Sequence, residues 1–222
     1  MKFLLKLLIN LGLSGYLAQQ LARPNGFFGS RFIGRMMNKG NAELEQLALQ
    51  SAEIQTTNHV LEIGFGNGQL LKQLCDLITT GKVYGADISP DLIHQVNKRL
   101  SSSIESNKLE LHLSEVSRLP FPDNSFNTII TNNTIYFWPT PDQDAQELLR
   151  ILKPNGKLII GFRTADDMKN YPFVTENLHI FQNHFTTQGV EELLVQAGFS
   201  NVSFKGVKSD LAISHVAICT KK

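Results

Sequence analysis

Cysteine is nearly absent from this 222-residue chain: Cys75 and Cys219 are the only two. They show neither metal-ligand spacing nor a disulfide framework, so no metal is expected and a reduced, cytoplasmic setting is the simpler reading. No excess of either charge sign exists: 21 Lys+Arg face 20 Asp+Glu, a net charge of +1. A general nucleic-acid binder needs a basic footprint, so nucleic acid is not an expected partner. No apolar run reaches the roughly 20 residues that cross a bilayer. A Walker A lysine is missing too, which argues against ATP-type phosphate handling. What is present is a 42% hydrophobic share, too high for a disordered chain. The length suffices to bury a core without disulfide or metal staples.

The most apolar stretch is the first, residues 1–22. Lys6 and Asn10 interrupt it, and no clean small-residue cleavage site follows, which disfavours a signal peptide. Lys2, Lys6, Asn10 and Ser14 recur every four residues and form a narrow polar stripe on an amphipathic helix. Three roles stay open: packing on its own domain, closing over an apolar pocket, or lying in a membrane interface as a peripheral contact. Pro24-Asn25-Gly26 reads as a turn. Ser30 is expected to cap a short helix through Met37. Asn41 is expected to cap the next, to about Gln55, with Leu44, Leu47, Ala48 and Ser51 on one face. Residues 1–56 are therefore read as a helical extension or lid, and 57–222 as the main domain.

From His59 the pattern changes. Short apolar runs at 59–64, 82–87, 108–113, 125–132 and 156–162 read as strands, with helices at 68–79, from Ser89-Pro90-Asp91 to Leu100, and from Thr140-Pro141-Asp142 to Leu152. Thr186 or Thr187 caps a last helix that ends at Gly198. Two final strands, 201–206 and 212–220, have no helix between them and are expected to pair antiparallel. The expected fold is α/β: a three-layer sandwich around a seven-stranded, mostly parallel sheet with an antiparallel last strand.

The first strand runs into Glu62-Ile63-Gly64-Phe65-Gly66-Asn67-Gly68. Glycines in a strand-to-helix turn let a ligand approach the backbone N–H groups at the helix start. Asp87 ends the second strand, where a carboxylate can accept both hydroxyls of a ribose. The pair implies a cofactor containing a nucleoside. The dinucleotide spacing G-x-G-x-x-G is not kept, because the third glycine comes one residue early. Glu62 would also repel a pyrophosphate, so a ligand with a cationic end fits better.

Val60 through Gly68 resemble the first motif of class I S-adenosylmethionine-dependent methyltransferases. Leu119-Pro120-Phe121-Pro122-Asp123-Asn124-Ser125-Phe126 is similar to that family's LPFPDxSFD stretch. Arg150-Ile151-Leu152-Lys153-Pro154-Asn155-Gly156 is similar to its R-x-L-K-P-G-G element, with Asn155 in place of a glycine. The resemblance covers about residues 59–163 and is nearest the small-molecule group that includes ubiquinone/menaquinone-biosynthesis enzymes. Two positions depart. Asn127 stands where the family has Asp, and Ser114-Glu115-Val116 stands for its G-D-A triplet.

The resemblance implies S-adenosylmethionine as cofactor and a Rossmann-like fold. By it, Glu62 holds the amino-acid end, and Gly64, Gly66 and Gly68 give backbone access. Asp87 takes the ribose diol, Ile88 packs on the adenine and Glu115 reads its amine. Asn132 hydrogen-bonds cofactor or substrate, and Tyr136 lines the methyl-transfer site as the catalytic candidate. Trp138 is weighed as packing, and His179 and His184 as surface or structural histidines. Phe27, Phe28, Phe32, Met36 and Met37 imply an oily cover, and so a small, apolar, quinone- or lipid-like methyl acceptor. The competing readings are an NAD(P)-dependent oxidoreductase and a non-catalytic cofactor-binding or membrane-associated domain.

Overall fold

Alternation of apolar strands with amphipathic helices resolves, in a computed structural model, into one sheet of seven strands in the order β3-β2-β1-β4-β5-β7-β6. Residues 12–23, 34–169, 172–181, 183, 185–208 and 212–222 are described. The strands are β1 His59–Ile63, β2 Lys82–Asp87, β3 Leu109–Leu113, β4 Phe126–Asn132, β5 Leu152–Phe162, β6 Ser200–Lys208 and β7 Ile213–Thr220. The first five pair in parallel, while β7 runs antiparallel to both β5 and β6. Strand β1 lies between β2 and β4, so the chain leaves its carboxyl end in diverging directions. That divergence opens the crevice in which sheets of this kind bind ligands.

The helices are α1 Ser14–Ala22, α2 Gly34–Ala52, α3 Gln69–Leu77, α4 Pro90–Arg99, α5 Ser101–Glu105, α6 Pro141–Ile151, α7 Ala165–Met168, α8 Pro172–Thr175 and α9 Thr187–Ala197. They cover both faces of the sheet. One face packs Leu61, Ile129, Leu158 and Ile160 against Leu148 and Ile151 of α6 and Leu194 of α9. The other packs Val60, Val83, Ile130 and Ile159 against Leu44 and Ala48 of α2, Leu71 and Leu74 of α3 and Val96 of α4. Helix α2 thus shares the α3–α4 layer and touches β4, β5 and β7.

Local chemistry sets the ends. Ser89 caps α4 by accepting from Leu92 N–H, and Thr186 caps α9 by accepting from Gly189 N–H. Gly198 ends α9 in the left-handed region at φ 105°. Thr140 does not cap α6 through its side chain; instead the buried Asp144 accepts from its N–H and its hydroxyl. Asn155 sits at φ 62°, a backbone state that asparagine tolerates better than most residues, which explains how it replaces a glycine in the turn of β5.

Three expectations need correction. The helix break at Met37 to Asn41 is absent: α2 is continuous from Gly34 to Ala52, and Asn41 lies inside it rather than at a cap. An internal Gly40 costs about 1 kcal/mol, which the buried stripe of Leu44, Ala48 and Ala52 outweighs. The first helix is not continuous through residue 22, because Gly12 stands at φ 75° and α1 starts at Ser14. The polar stripe before it, the Ser30 cap, the 24–26 turn and the side chains of Met36 and Met37 lie outside the described residues. Strand β5 begins at Leu152 rather than 156, with a register shift opposite Phe126–Thr128.

Asn127 has a structural role. Its Oδ1 accepts from His59 N–H at 2.9 Å and from Lys153 Nζ at 3.1 Å, tying β1 to β4 and β5 at their amino ends. Replacement by alanine leaves a half-buried N–H unmatched. We predict that Asn127→Ala lowers unfolding free energy by about 1–2 kcal/mol in urea titration, whereas Asn127→Asp keeps the acceptor and costs nothing. Equal losses in both would contradict this role.

Candidate cofactor site

Strand alternation sends Leu61 and Ile63 to the α6 face and Val60 and Glu62 to the α2–α3 face. Glu62 is 5% exposed. Its carboxylate accepts from Leu71 N–H in the first turn of α3, and its Oε2 is buried without a partner. A carboxylate at a helix amino end is favourable, yet a free oxygen in the interior is costly. Burial and the nearby charges of Glu45 and Asp87 push the Glu62 carboxyl well above the usual range.

The next residues form the loop. Gly64, Gly66 and Gly68 all adopt positive φ, at 68°, 53° and 75°. Two of them leave no room for a side chain. A Cβ on Gly64 would come within 2.4 Å of Thr134 Cγ2, and one on Gly68 within 2.9 Å of Val96 Cγ1. A Cβ on Gly66 would meet no protein atom within 4 Å. That open cradle faces Asp87, whose Oδ2 accepts from Gly66 N–H at 3.3 Å.

Asp87 ends β2 and is 6% exposed. Its other oxygen accepts from Ser89 N–H at 2.9 Å. Burial pushes its carboxyl up to about 6 against the hydrogen bonds from Ser89, Gly66 and Ile88, with Arg23 at the end of α1 the cation that acts on it. With three of its roughly four lone-pair sites taken by N–H groups, the carboxylate keeps one for a ligand hydroxyl. Ile88 follows, half-buried.

On the far side of β1, Asn132 ends β4. Both its amide atoms are buried with no partner. Gly161 of β5 makes room for it: a Cβ there would lie 2.0 Å from Asn132 Oδ1. Asn133, at φ 56°, accepts from Arg163 at 3.3 Å. Glu62, Gly66, Asp87 and Asn132 therefore gather at the carboxyl ends of β1, β2 and β4.

Other expected residues sit elsewhere or are already engaged. The loop of Glu115 is fastened to β2 by Ser114 N–H donating to Asp87 C=O at 3.0 Å, but the Glu115 side chain is exposed. The Tyr136 hydroxyl is buried and accepts from Arg163 N–H while donating toward Arg163 C=O. Trp138 is buried and donates to Thr134 Oγ1 at 3.1 Å, a packing residue. His179 is exposed, and His184 lies outside the described residues.

Two elements escape a reading of motifs. Thr134 and Thr131 share a hydrogen bond, and Thr131 donates to Ile63 C=O, so the β4 turn locks the glycine loop. Glu45 of α2 is half-buried, and burial pushes its carboxyl up to about 7. The only sequence signal for it is an acid beside Leu44 on the packed face of α2. Among the described residues no helix is long and apolar enough to cross a membrane.

Known proteins resemble this arrangement. Residues 61–160 match the family described as a methyltransferase domain. The ubiquinone/menaquinone biosynthesis C-methyltransferase UbiE of Pseudomonas savastanoi pv. phaseolicola is 26% identical over 205 residues, covering 78% of this chain and 77% of that protein. In fold, the chain is similar to a solved S-adenosylmethionine-dependent methyltransferase of Aquifex aeolicus (TM-score 0.65, 21% identity, 81% and 90% of the two chains). It also matches a chain from the complex between the Haloferax volcanii Trm112 methyltransferase activator and a methyltransferase (TM-score 0.75, 17% identity, 87% and 95% covered). Residues 61–160 thus carry a methyltransferase domain, and these likenesses together support a class I S-adenosylmethionine-dependent methyltransferase.

Proposed function

We propose that the chain moves the methyl group of S-adenosylmethionine to a small, apolar acceptor of quinone- or lipid-like kind. The observation that carries the cofactor half is the acid-lined crevice over an open glycine. Glu62, buried with a free oxygen, suits an ammonium and would reject a pyrophosphate, which disfavours a nicotinamide dinucleotide. Asp87 suits the ribose diol. Gly66 lets the ligand lie against the backbone, Ile88 gives the adenine an apolar face, and the Glu115 loop adjoins its edge. Asn132 offers a donor and an acceptor between cofactor and acceptor.

The bound cofactor supplies a methyl group on a sulfonium, already a good leaving group. The chain's own residues then have to align the acceptor and exclude water. Tyr136, Phe137 and Phe181 form an aromatic wall, with Phe137 and Phe181 ring centres 5.3 Å apart. Asn183 holds that cover down, donating to the carbonyls of Ile135 and Trp138 at 3.0 and 2.8 Å. Tyr136, tied to the Arg163 backbone, serves this wall as a positioning residue.

The apolar acceptor is supported by this wall and by the exposed Leu13 and Tyr16 at the start of α1 and Leu178 on the turn after α8, the helix against which α1 packs. The similarity to UbiE points the same way. Residues 1–56 are read as the part of the chain that covers the site, with residues 1–22 available for a membrane surface.

Three outcomes test this reading. Calorimetry is expected to show binding of S-adenosylhomocysteine and none of NADH; the reverse preference would overturn it. Asp87→Ala removes a charged acceptor and Gly66→Val fills the cradle, so each is expected to weaken that binding by roughly tenfold or more. Undiminished affinity in both would remove these residues from the site. With labelled S-adenosylmethionine, a demethylated quinol is expected to take up label and a panel of polar metabolites is not.

The acids also predict a pH dependence. Asp87 and Glu45 have folded values of about 6 and about 7, above their ordinary 3.8 and 4.5. The folded chain therefore binds more protons than the unfolded one in that window, so stability falls as pH rises. The ligand-free melting temperature is expected to drop between about pH 5 and about pH 8, and S-adenosylhomocysteine to restore part of it. A flat or rising profile would contradict the buried-acid account.

A further inference from the structure

The glycine loop and Asp87 belong to the sheet, but the acid whose charge bears most on Glu62 does not. It comes from the helical extension. Helix α2 places Asn41, Leu44, Glu45 and Ala48 on one stripe, the spacing of neighbours on a helix surface. Both ends of that stripe are fixed. Asn41 Oδ1 accepts from the Arg163 guanidinium at 3.3–3.4 Å, just beyond β5. The Leu44 side chain lies 3.0 Å from the position of a Cβ on Gly161, the glycine that also admits Asn132. Ala48 is fully buried in the cluster that holds Val60 and Leu71. Glu45 is thereby carried to the β1–β4 side of the crevice, toward the strand face from which Glu62 projects.

Two like charges in a half-closed site are unfavourable. The Glu62 Oε2 atom and both Asn132 amide atoms are buried there without partners. A protein that keeps these groups unmatched has a use for them, and the one ligand chemistry that satisfies two acids at once is a cation with several donors. An ammonium has three N–H donors.

We propose that Glu45 is a second carboxylate of the cofactor's ammonium site: with Glu62 it grips the amino-acid end from the opposite side, so that α2 is part of the binding site and the ligand fastens the extension onto the sheet. This rests on the cofactor assignment above. It also explains why a helix of the extension carries an acid on its packed face. Among the described residues, the charged groups that bear on this pair are Asp87 of β2 and, through Asp87, Arg23 at the end of α1.

The test uses two ligands that share adenosine and differ in the amino-acid end. S-adenosylhomocysteine carries the ammonium and methylthioadenosine does not. Glu45→Gln keeps the shape and removes the charge. It is expected to weaken S-adenosylhomocysteine by roughly tenfold or more and to leave methylthioadenosine unchanged. Glu45→Ala should repeat the pattern. The ligand-free Glu45→Gln chain should melt no lower than the wild type at neutral pH, because a like-charge contact has gone. Unchanged S-adenosylhomocysteine affinity, or an equal loss for both ligands, would overturn the assignment of Glu45 alone. Failure of the wild-type chain to bind S-adenosylhomocysteine would bring down the cofactor reading and this inference with it.

Discussion

A carboxylate withdrawn from water is unfavourable unless a cation or N–H groups meet it. At the carboxyl ends of β1 and β2, Glu62 and Asp87 are withdrawn almost completely, and the charge of Glu45 bears on Glu62. N–H groups answer part of that demand: Leu71 for Glu62, and Gly66 and Ser89 for Asp87. The rest is what the proposed cofactor would answer. The shape of the loop follows from this arrangement. Gly66 must present its N–H to Asp87, Gly64 must leave room for Thr134, and Gly68 must clear Val96 at the start of α3. The positive φ values are what these contacts require.

The sheet makes that concentration of acids tolerable. Its two faces are sealed by aliphatic packing from α6 and α9 on one side and α2, α3 and α4 on the other. Stability is thus supplied away from the crevice. Asn127, the Arg150 links to Glu147 and Asp123 at 2.7 Å, and the hydrogen bond from Leu119 N–H to Glu147 tie down the opposite, amino-terminal edge of the strands. The LPFPDNSF stretch belongs to this edge. Its resemblance to a family motif therefore reflects folding, while the proposed cofactor site lies at the other end of the same strands.

Most of the sheet was legible in the sequence because buried parallel strands read as short apolar runs between caps and glycines. Ser89, Thr186 and Gly198 behave as local signals predict. Local signals also misled. Gly40 and Asn41 look like a helix boundary, but the packing of Leu44, Ala48 and Ala52 carries α2 straight through. The places of Glu62, Gly66, Asp87 and Asn132 at the strand ends were legible because strand ends and turns fix them within a few residues of a motif. Glu45 was not, because its meaning depends on where α2 lands, and the sequence sets no distance between an extension and a crevice. Likewise the exposure of Glu115 and the commitment of the Tyr136 hydroxyl to Arg163 are tertiary facts that residue type does not carry.

If the buried acids are the heart of the site, a cationic ligand must displace protons from them. Titrating S-adenosylhomocysteine by calorimetry between the Asp87 and Glu45 values of about 6 and about 7, in two buffers of different ionisation enthalpy, counts those protons. The account predicts net proton release on binding, seen as a buffer-dependent heat. Heats that do not depend on the buffer, or proton uptake, would contradict it.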